Sequence, residues 1–258
     1  MRVASGLLSD TLWMAGLDLA GPSPRLSRSQ ILALRSQGLV RPTDLMRGDD
    51  EADTKRINAL GGVESLFRSL ANQIRDAARA WKHKQRTHCM NYQIKRLSPV
   101  GGADALRAIY TVRGTGLEVA LENVIRATGF RFDKLDTGRT QGRPDYELQV
   151  EGFDPIIVEV KSRESDSELI GLNGATEVLT ASELLGCRDA FCVTICSPGV
   201  DPSVPTQIEA CGRLCVVDVC DLAEAFVRLS EGTLTPAQFN DWLTRPGVAL
   251  MEDLPSEP

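Results

Sequence analysis

Hydrophobic positions in the first part of the chain recur with a helical period. In residues 25–40, "RLSRSQILALRSQGLV", Leu26, Ile31, Leu34 and Leu39 mark an apolar side. Ser27 or Ser29 can cap this segment and Gly38 breaks it, so a helix is predicted with Arg25, Arg28 and Arg35 off its apolar side. Residues 41–55 are polar and predict a loop or short helix. Residues 62–81 predict a longer helix, with Val63, Leu66, Leu70, Ile74 and Ala78 on one face. A basic stretch follows, carrying Lys82, Lys84, Arg86, Lys95 and Arg96, and then "LSPVGG" reads as a linker.

Beyond residue 100 the pattern changes. "TGLEVALENVIRATGF" predicts a helix with Leu117, Leu121, Val124 and Ile125 on one face, ended by Gly129. "FRFDKL" and the alternating "DYELQV" predict strands, separated by the loop "DTGRTQGRP". "EGFD" is a turn and "PIIVEVKS" the next strand. "ATEVLTASELLG" predicts a helix, "DAFCVTICS" and "LCVVDV" buried strands, and "DLAEAFVRLSEG" another helix. Asp218 ends its strand or caps the helix after it, and Pro236 opens a late helix over 235–243. Strands interleaved with helices predict an α/β domain, with a central mixed sheet flanked by helices. The expected organisation is a mainly helical basic module over 1–100, the α/β domain over 101–250, and a disordered acidic tail over 251–258.

Charge sharpens this division. Residues 1–100 hold sixteen basic and nine acidic side chains, whereas residues 101–258 hold thirteen and twenty-six. A basic module joined to an acidic one points to contact with a polyanion through the first. No apolar run approaches the ~20 residues of a membrane helix. The N-terminal stretch is broken by Asp10 and Asp18 and lacks the core of a secretion signal, so no membrane association and a cytoplasmic location are expected. Seven cysteines then read as free thiols; Cys192, Cys196 and Cys215 sit in apolar runs as small hydrophobes. The alternative, a cluster on Cys89, Cys211, Cys215 and Cys220, would have to cross a predicted buried strand. His83 and His88 are the only histidines, too few for a histidine metal site.

Candidate chemistry concentrates in the hairpin "RPDYELQVEGFDPIIVEVK", residues 143–161. By the two-residue period, Asp145, Glu147 and Gln149 share a face, as do Ile157, Glu159 and Lys161. A turn centred on Gly152 pairs 145 with 159 and 147 with 157. Asp145 and Glu159 then face each other with Cβ atoms about 5 Å apart. Two carboxylates so placed repel unless a divalent cation joins them. Lys161 reaches the same patch as a point charge. The bland alternative is an exposed sheet face with a cross-strand salt bridge. For Glu118 the alternative is a capping box with Thr115.

The sequence Pro144-Asp145, thirteen residues, then Glu159-Val160-Lys161 resembles the PD-(D/E)xK nuclease superfamily. The order of elements over residues 113–230 is similar too, with Glu118 on the leading helix where many members carry an extra acid. "GLEVALENVIRATGF…GRPDYEL…IIVEVKS" also looks like the Mrr-like restriction branch, departing from it in Glu159, where such sequences usually carry glutamine. The resemblance implies a restriction-endonuclease-like core that hydrolyses DNA phosphodiesters. Asp145, Glu159 and the Val160 carbonyl would hold Mg2+ or Mn2+; Lys161 would orient or deprotonate the attacking water. Glu118 would serve a second metal or a water beyond the first. Arg143 and Arg163 would meet neighbouring phosphates, and Lys82, Lys84, Arg86, Lys95 and Arg96 are candidate DNA contacts.

The resulting expectation is a metal-dependent endodeoxyribonuclease, acting as a homodimer or within a larger complex, in defence against foreign DNA or else in repair. The competing expectations are a non-cleaving DNA-binding or scaffold subunit of the same fold, and a regulator whose first hundred residues bind DNA.

Overall fold

The structure is a computed structural model that describes residues 7, 9–20, 25–46, 51–60, 69–97, 102–136, 142–165, 168–201 and 204–255. The chain divides into two compact units, Met1–Thr87 and His88–Pro258. The boundary falls within a helix rather than in the predicted linker, of which residues 98–101 lie outside the described residues.

The described elements of the first unit are helical. A 3-10 segment, Ser9–Gly16, precedes α1 (Arg28–Ser36), α2 (Pro42–Met46), α3 (Glu51–Ala59) and the start of α4 (Leu70–Leu97). Ser27 caps α1 in a capping box with Gln30, and Gly38 leaves the helical path at a φ of 79°. Met14, Leu17, Ile31, Leu34, Leu45, Ile57 and Ile74 bury together as this unit's core. Val63 and Leu66 lie outside the described residues. From Leu70 the helix runs on through the basic stretch to Leu97. Neither glycine nor proline interrupts these residues, and Ala, Arg, Lys and Gln favour helix throughout.

The second unit is built on a six-stranded mixed sheet flanked by helices. Its strands are β1 (Arg131–Lys134), β2 (Tyr146–Gln149), β3 (Ile156–Ser162), β4 (Phe191–Ser197), β5 (Leu214–Asp218) and β6 (Gly247–Ala249), adjacent in that order. β1, β2 and β3 pair antiparallel, while β3 to β6 run parallel. Helices α5 (Ala103–Thr111), α6 (Thr115–Ala127), α7 (Leu172–Leu184), α8 (Val204–Ile208), α9 (Val219–Glu231) and α10 (Pro236–Leu243) complete the unit. One sheet face, with Tyr146, Leu148, Ile156, Val158 and Val193, packs on α5, α6, α9 and α10 through Leu106, Leu121, Phe226 and Phe239. The other face, with Ile157, Cys192, Cys196 and Val216, packs on α7 and α8 through Ala175, Val178, Val204 and Ile208. Burial on both sides explains why β4 and β5 read as unbroken apolar runs rather than alternating ones.

Several elements depart from expectation. Helix α5 was hidden behind a Pro- and Gly-containing segment, although Leu106, Ile109 and Tyr110 are buried at helical spacing. Strand β6 and helix α8 are too short to leave a periodic signal. The tail is not disordered over residues 251–255: a 3-10 turn, Met251–Asp253, leads to Leu254, which is 5% exposed in the core, and the Pro255 carbonyl accepts from Arg228 at 2.9 Å. Residues 256–258 lie outside the described residues.

Caps act where the sequence puts them. The Asp218 carboxylate caps α9 by accepting from the Cys220 N–H at 2.8 Å. Thr235 caps α10 in a capping box with Gln238, with Pro236 in the first turn. Thr235→Ala is therefore expected to cost about 1 kcal/mol; urea denaturation followed by circular dichroism checks this, and an unchanged midpoint would refute the cap. No helix among the described residues is long and apolar enough to cross a membrane.

Candidate active site

The β2–β3 hairpin sets the site. Gly152 takes a φ of 86° in its turn, and the ladder pairs Tyr146 with Val158, Glu147 with Ile157 and Leu148 with Ile156. Glu147 opposite Ile157 is the register the sequence predicts. Continued one step, it sets Asp145 opposite Glu159; one step further sets Pro144 opposite Val160.

That last pairing has a chemical consequence. Proline has no N–H, so it has no ladder hydrogen to give the Val160 carbonyl. The Val160 N–H, for its part, donates to the Asp145 side chain, at Oδ2, over 2.7 Å. A strand residue's N–H and C=O point to the same side, so the Val160 carbonyl also faces Asp145. Asp145 lies just ahead of β2, and its own carbonyl accepts from the Leu135 N–H at 2.8 Å.

Glu159 is 6% exposed on the α7 side of β3. Its Oε1 accepts from Lys161 Nζ at 2.7 Å, while its Oε2 is buried with no hydrogen-bond partner. Burial, then the charge of Asp145, push its pKa up to about 7, against the opposing pull of Lys161. The Asp145 carboxyl is also raised, chiefly by burial and further by Glu118, with the Val160 N–H working the other way. Lys161 bridges Glu159 and Glu177 of α7, at 2.7 Å to each. Burial pulls its pKa down, but the two carboxylates more than offset this and hold it above the usual lysine value. Lys161 is thereby held between two carboxylates, one on its own strand and one on α7.

Glu118 is not a helix cap. Helix α6 starts at Thr115 with Gly114 as its cap residue and no side-chain cap bond. Its start is tied instead to the end of β3: the Gly114 N–H donates to Ser162 Oγ at 2.8 Å, and Arg113 Nε donates to the Arg163 carbonyl at 3.0 Å. Glu118 pairs with Lys134 of β1 at 3.1 Å. Lys134 also lies 5.6 Å from the Tyr146 ring centroid, and Glu118 raises its pKa most.

The structure thus brings Asp145, Glu159, Lys161 and the Val160 backbone together, with Glu118 beside them. Among the described residues, no three Asp, Glu, His or Cys side chains form a group able to hold an ion, so Glu118 does not join the two acids as a third ligand. The oxygen set that remains fits Mg2+ or Mn2+: Mg2+ commonly binds through one or two carboxylates and keeps several waters. The buried, unpartnered Glu159 Oε2 is what a hard cation would satisfy. The cross-strand salt bridge considered from sequence does not form, because Asp145 is turned to a backbone N–H and Lys161 pairs along its own strand and with α7.

The basic candidates separate. Arg143 and Arg163 are exposed near the acids in sequence. Arg96 corrects the expectation of a DNA contact: it pairs with Glu224 at 2.8 Å and with Glu231, Nε to Oε1, at 2.9 Å, which withdraws it from phosphate. Lys95 and Lys84 are exposed, and Lys82 and Arg86 half-buried, along α4; Lys82, Lys84 and Arg86 belong to the first unit. Cys192, Cys196 and Cys215 are fully buried in strands, as their apolar runs predict, and burial pushes the Cys215 thiol up to about 12. A hollow of about 810 Å3 lined by Phe153, Pro155, Phe191, Arg188 and Asn240 lies at the other end of β3, and neither Asp145, Glu159 nor Glu118 lines it.

Sequence reasoning missed Glu177 and Lys134. Neither belongs to a local pattern; each reaches the site through packing of its element against the hairpin. No family model, curated protein or solved structure matches the chain.

Proposed function

We propose that the chain is a metal-dependent deoxyribonuclease with a restriction-endonuclease-like core, of the PD-(D/E)xK type, serving in defence against foreign DNA. The observation that carries this reading is the convergence of Asp145 and Glu159 across the hairpin, with the Glu159 Oε2 buried and unpartnered and the Lys161 ammonium 2.7 Å from its Oε1.

Asp145, Glu159 and the Val160 carbonyl would hold Mg2+, which stabilises the charge of the phosphoryl transition state and lowers the pKa of a bound water. The chain's own residues supply the remaining tasks. Lys161 orients the water and offers its charge to the scissile phosphate. Asp145 is aimed by its bond to the Val160 N–H. Arg143 and Arg163 meet phosphates on either side of the cut. The Arg113 and Ser162 contacts hold the start of α6 to the end of β3, which fixes Glu118 and, through it, Lys134.

Incubation with supercoiled plasmid tests the reading. Nicking or linearisation that requires Mg2+ or Mn2+ and stops with a chelator is expected. Retention of DNA on a gel with no cutting under either metal would refute the enzyme and leave the DNA-binding subunit of the same fold.

A further inference from the structure

Glu177 meets Lys161 from outside the hairpin. It stands on α7, where Ala175 and Val178 on either side are fully buried against the sheet, so its backbone is fixed although its side chain is 60% exposed. Lys161 is thereby held from two directions, 2.7 Å from Glu159 Oε1 and 2.7 Å from Glu177 Oε2.

The two partners are not equivalent. Glu159 is also one of the two acids that face each other across the hairpin. A cation gripping its carboxylate neutralises the charge that attracts Lys161 and repels the ammonium directly. The lysine stem is long and flexible and would swing to solvent if that were its one tether. Glu177 belongs to a different element and lies beyond Lys161 from Asp145 in the chain of contacts. It can keep its grip while Glu159 is engaged.

We propose that Glu177 is a positioning residue. It holds the Lys161 ammonium beside the reacting phosphate when Glu159 serves the metal, so that one carboxylate need not do both tasks. This rests on the reading of Asp145 and Glu159 as the metal-binding acids. The pair is exposed enough that its contribution to folding is small, within about 1 kcal/mol, so Glu177→Gln is expected to fold and to melt as the wild type does.

The test combines single-turnover cutting over a Mg2+ series with Mn2+ binding followed by electron paramagnetic resonance. Glu177→Gln is expected to cut about tenfold or more slowly at saturating Mg2+, because a misplaced catalytic group loses rate steeply. Its half-saturating Mg2+ and its Mn2+ affinity stay within threefold of wild type, a split that a general loosening of the fold would not give. In a Lys161→Gln background the same change removes nothing further from the residual rate. Cutting within twofold of wild type, a loss restored by excess metal, or an equal loss in the Lys161→Gln background would each overturn the proposal while leaving the nuclease reading intact. A wild-type chain that neither binds Mn2+ nor cuts fails the nuclease reading and removes this proposal with it.

Discussion

Glu159→Gln is expected to stabilise the metal-free protein at pH 8 and to abolish the DNA cutting proposed for it. The Glu159 carboxyl titrates near 7 in the fold against an ordinary 4.5. Its folded pKa is raised, so the folded chain binds the proton more tightly than the unfolded chain between those values. Stability therefore falls as pH rises from about 4.5 to 7, and the full penalty persists above 7. The difference corresponds to about 3 kcal/mol at pH 8. Glutamine is neutral at every pH and leaves Lys161 its second partner, Glu177. A rise of several degrees in melting temperature at pH 8 follows, shrinking toward zero at pH 4.5. Calorimetry at both pH values checks it; an equal or lower melting temperature at pH 8 contradicts the electrostatic account of Glu159. Opposite signs for stability and activity are what a group placed for chemistry at the expense of the fold would give.

The second large effect falls on Asp145, where two substitutions separate structure from catalysis. Asp145→Asn keeps an oxygen to accept the Val160 N–H but carries no charge. It is expected to fold normally and to lose cutting by on the order of 10^3-fold, since transition-state stabilisation by a bound ion is worth several kcal/mol. Asp145→Ala loses the acceptor as well and leaves a half-buried N–H unsatisfied, which costs a further 1–3 kcal/mol of stability or so. Plasmid cutting alongside urea denaturation distinguishes the pair. Asparagine retaining a tenth of wild-type activity would remove Asp145 from the metal-binding acids.

The hairpin could be read from sequence because every determinant of it is local. Alternation fixes which side chains share a face, Gly152 supplies the turn, and together they give the register that sets Asp145 opposite Glu159. The central strands and the caps at Ser27 and Asp218 were legible for the same reason. The partners Glu177 and Lys134 were not, because they reach the site through α7 and β1, and no spacing encodes which helix lies over which strand. The same gap misassigned Arg96. A basic run marks the residue as a phosphate contact, whereas the acids that claim it lie more than a hundred positions later, on α9. Thr115 and Glu118 have the capping-box spacing, yet the start of α6 is held by a Gly114 N–H bond to the Ser162 hydroxyl and an Arg113 side-chain bond to the Arg163 carbonyl. Tertiary packing outcompeted the local signal there.

Pro144 gives the hairpin a definite end. Where the two strands would otherwise zip closed, its ring nitrogen brings no hydrogen to the facing carbonyl, and the facing N–H is received by the Asp145 carboxylate. The sheet thereby forgoes a rung at this level. A small mouth of oxygen atoms is left unsealed where a fully paired ribbon would have been mute.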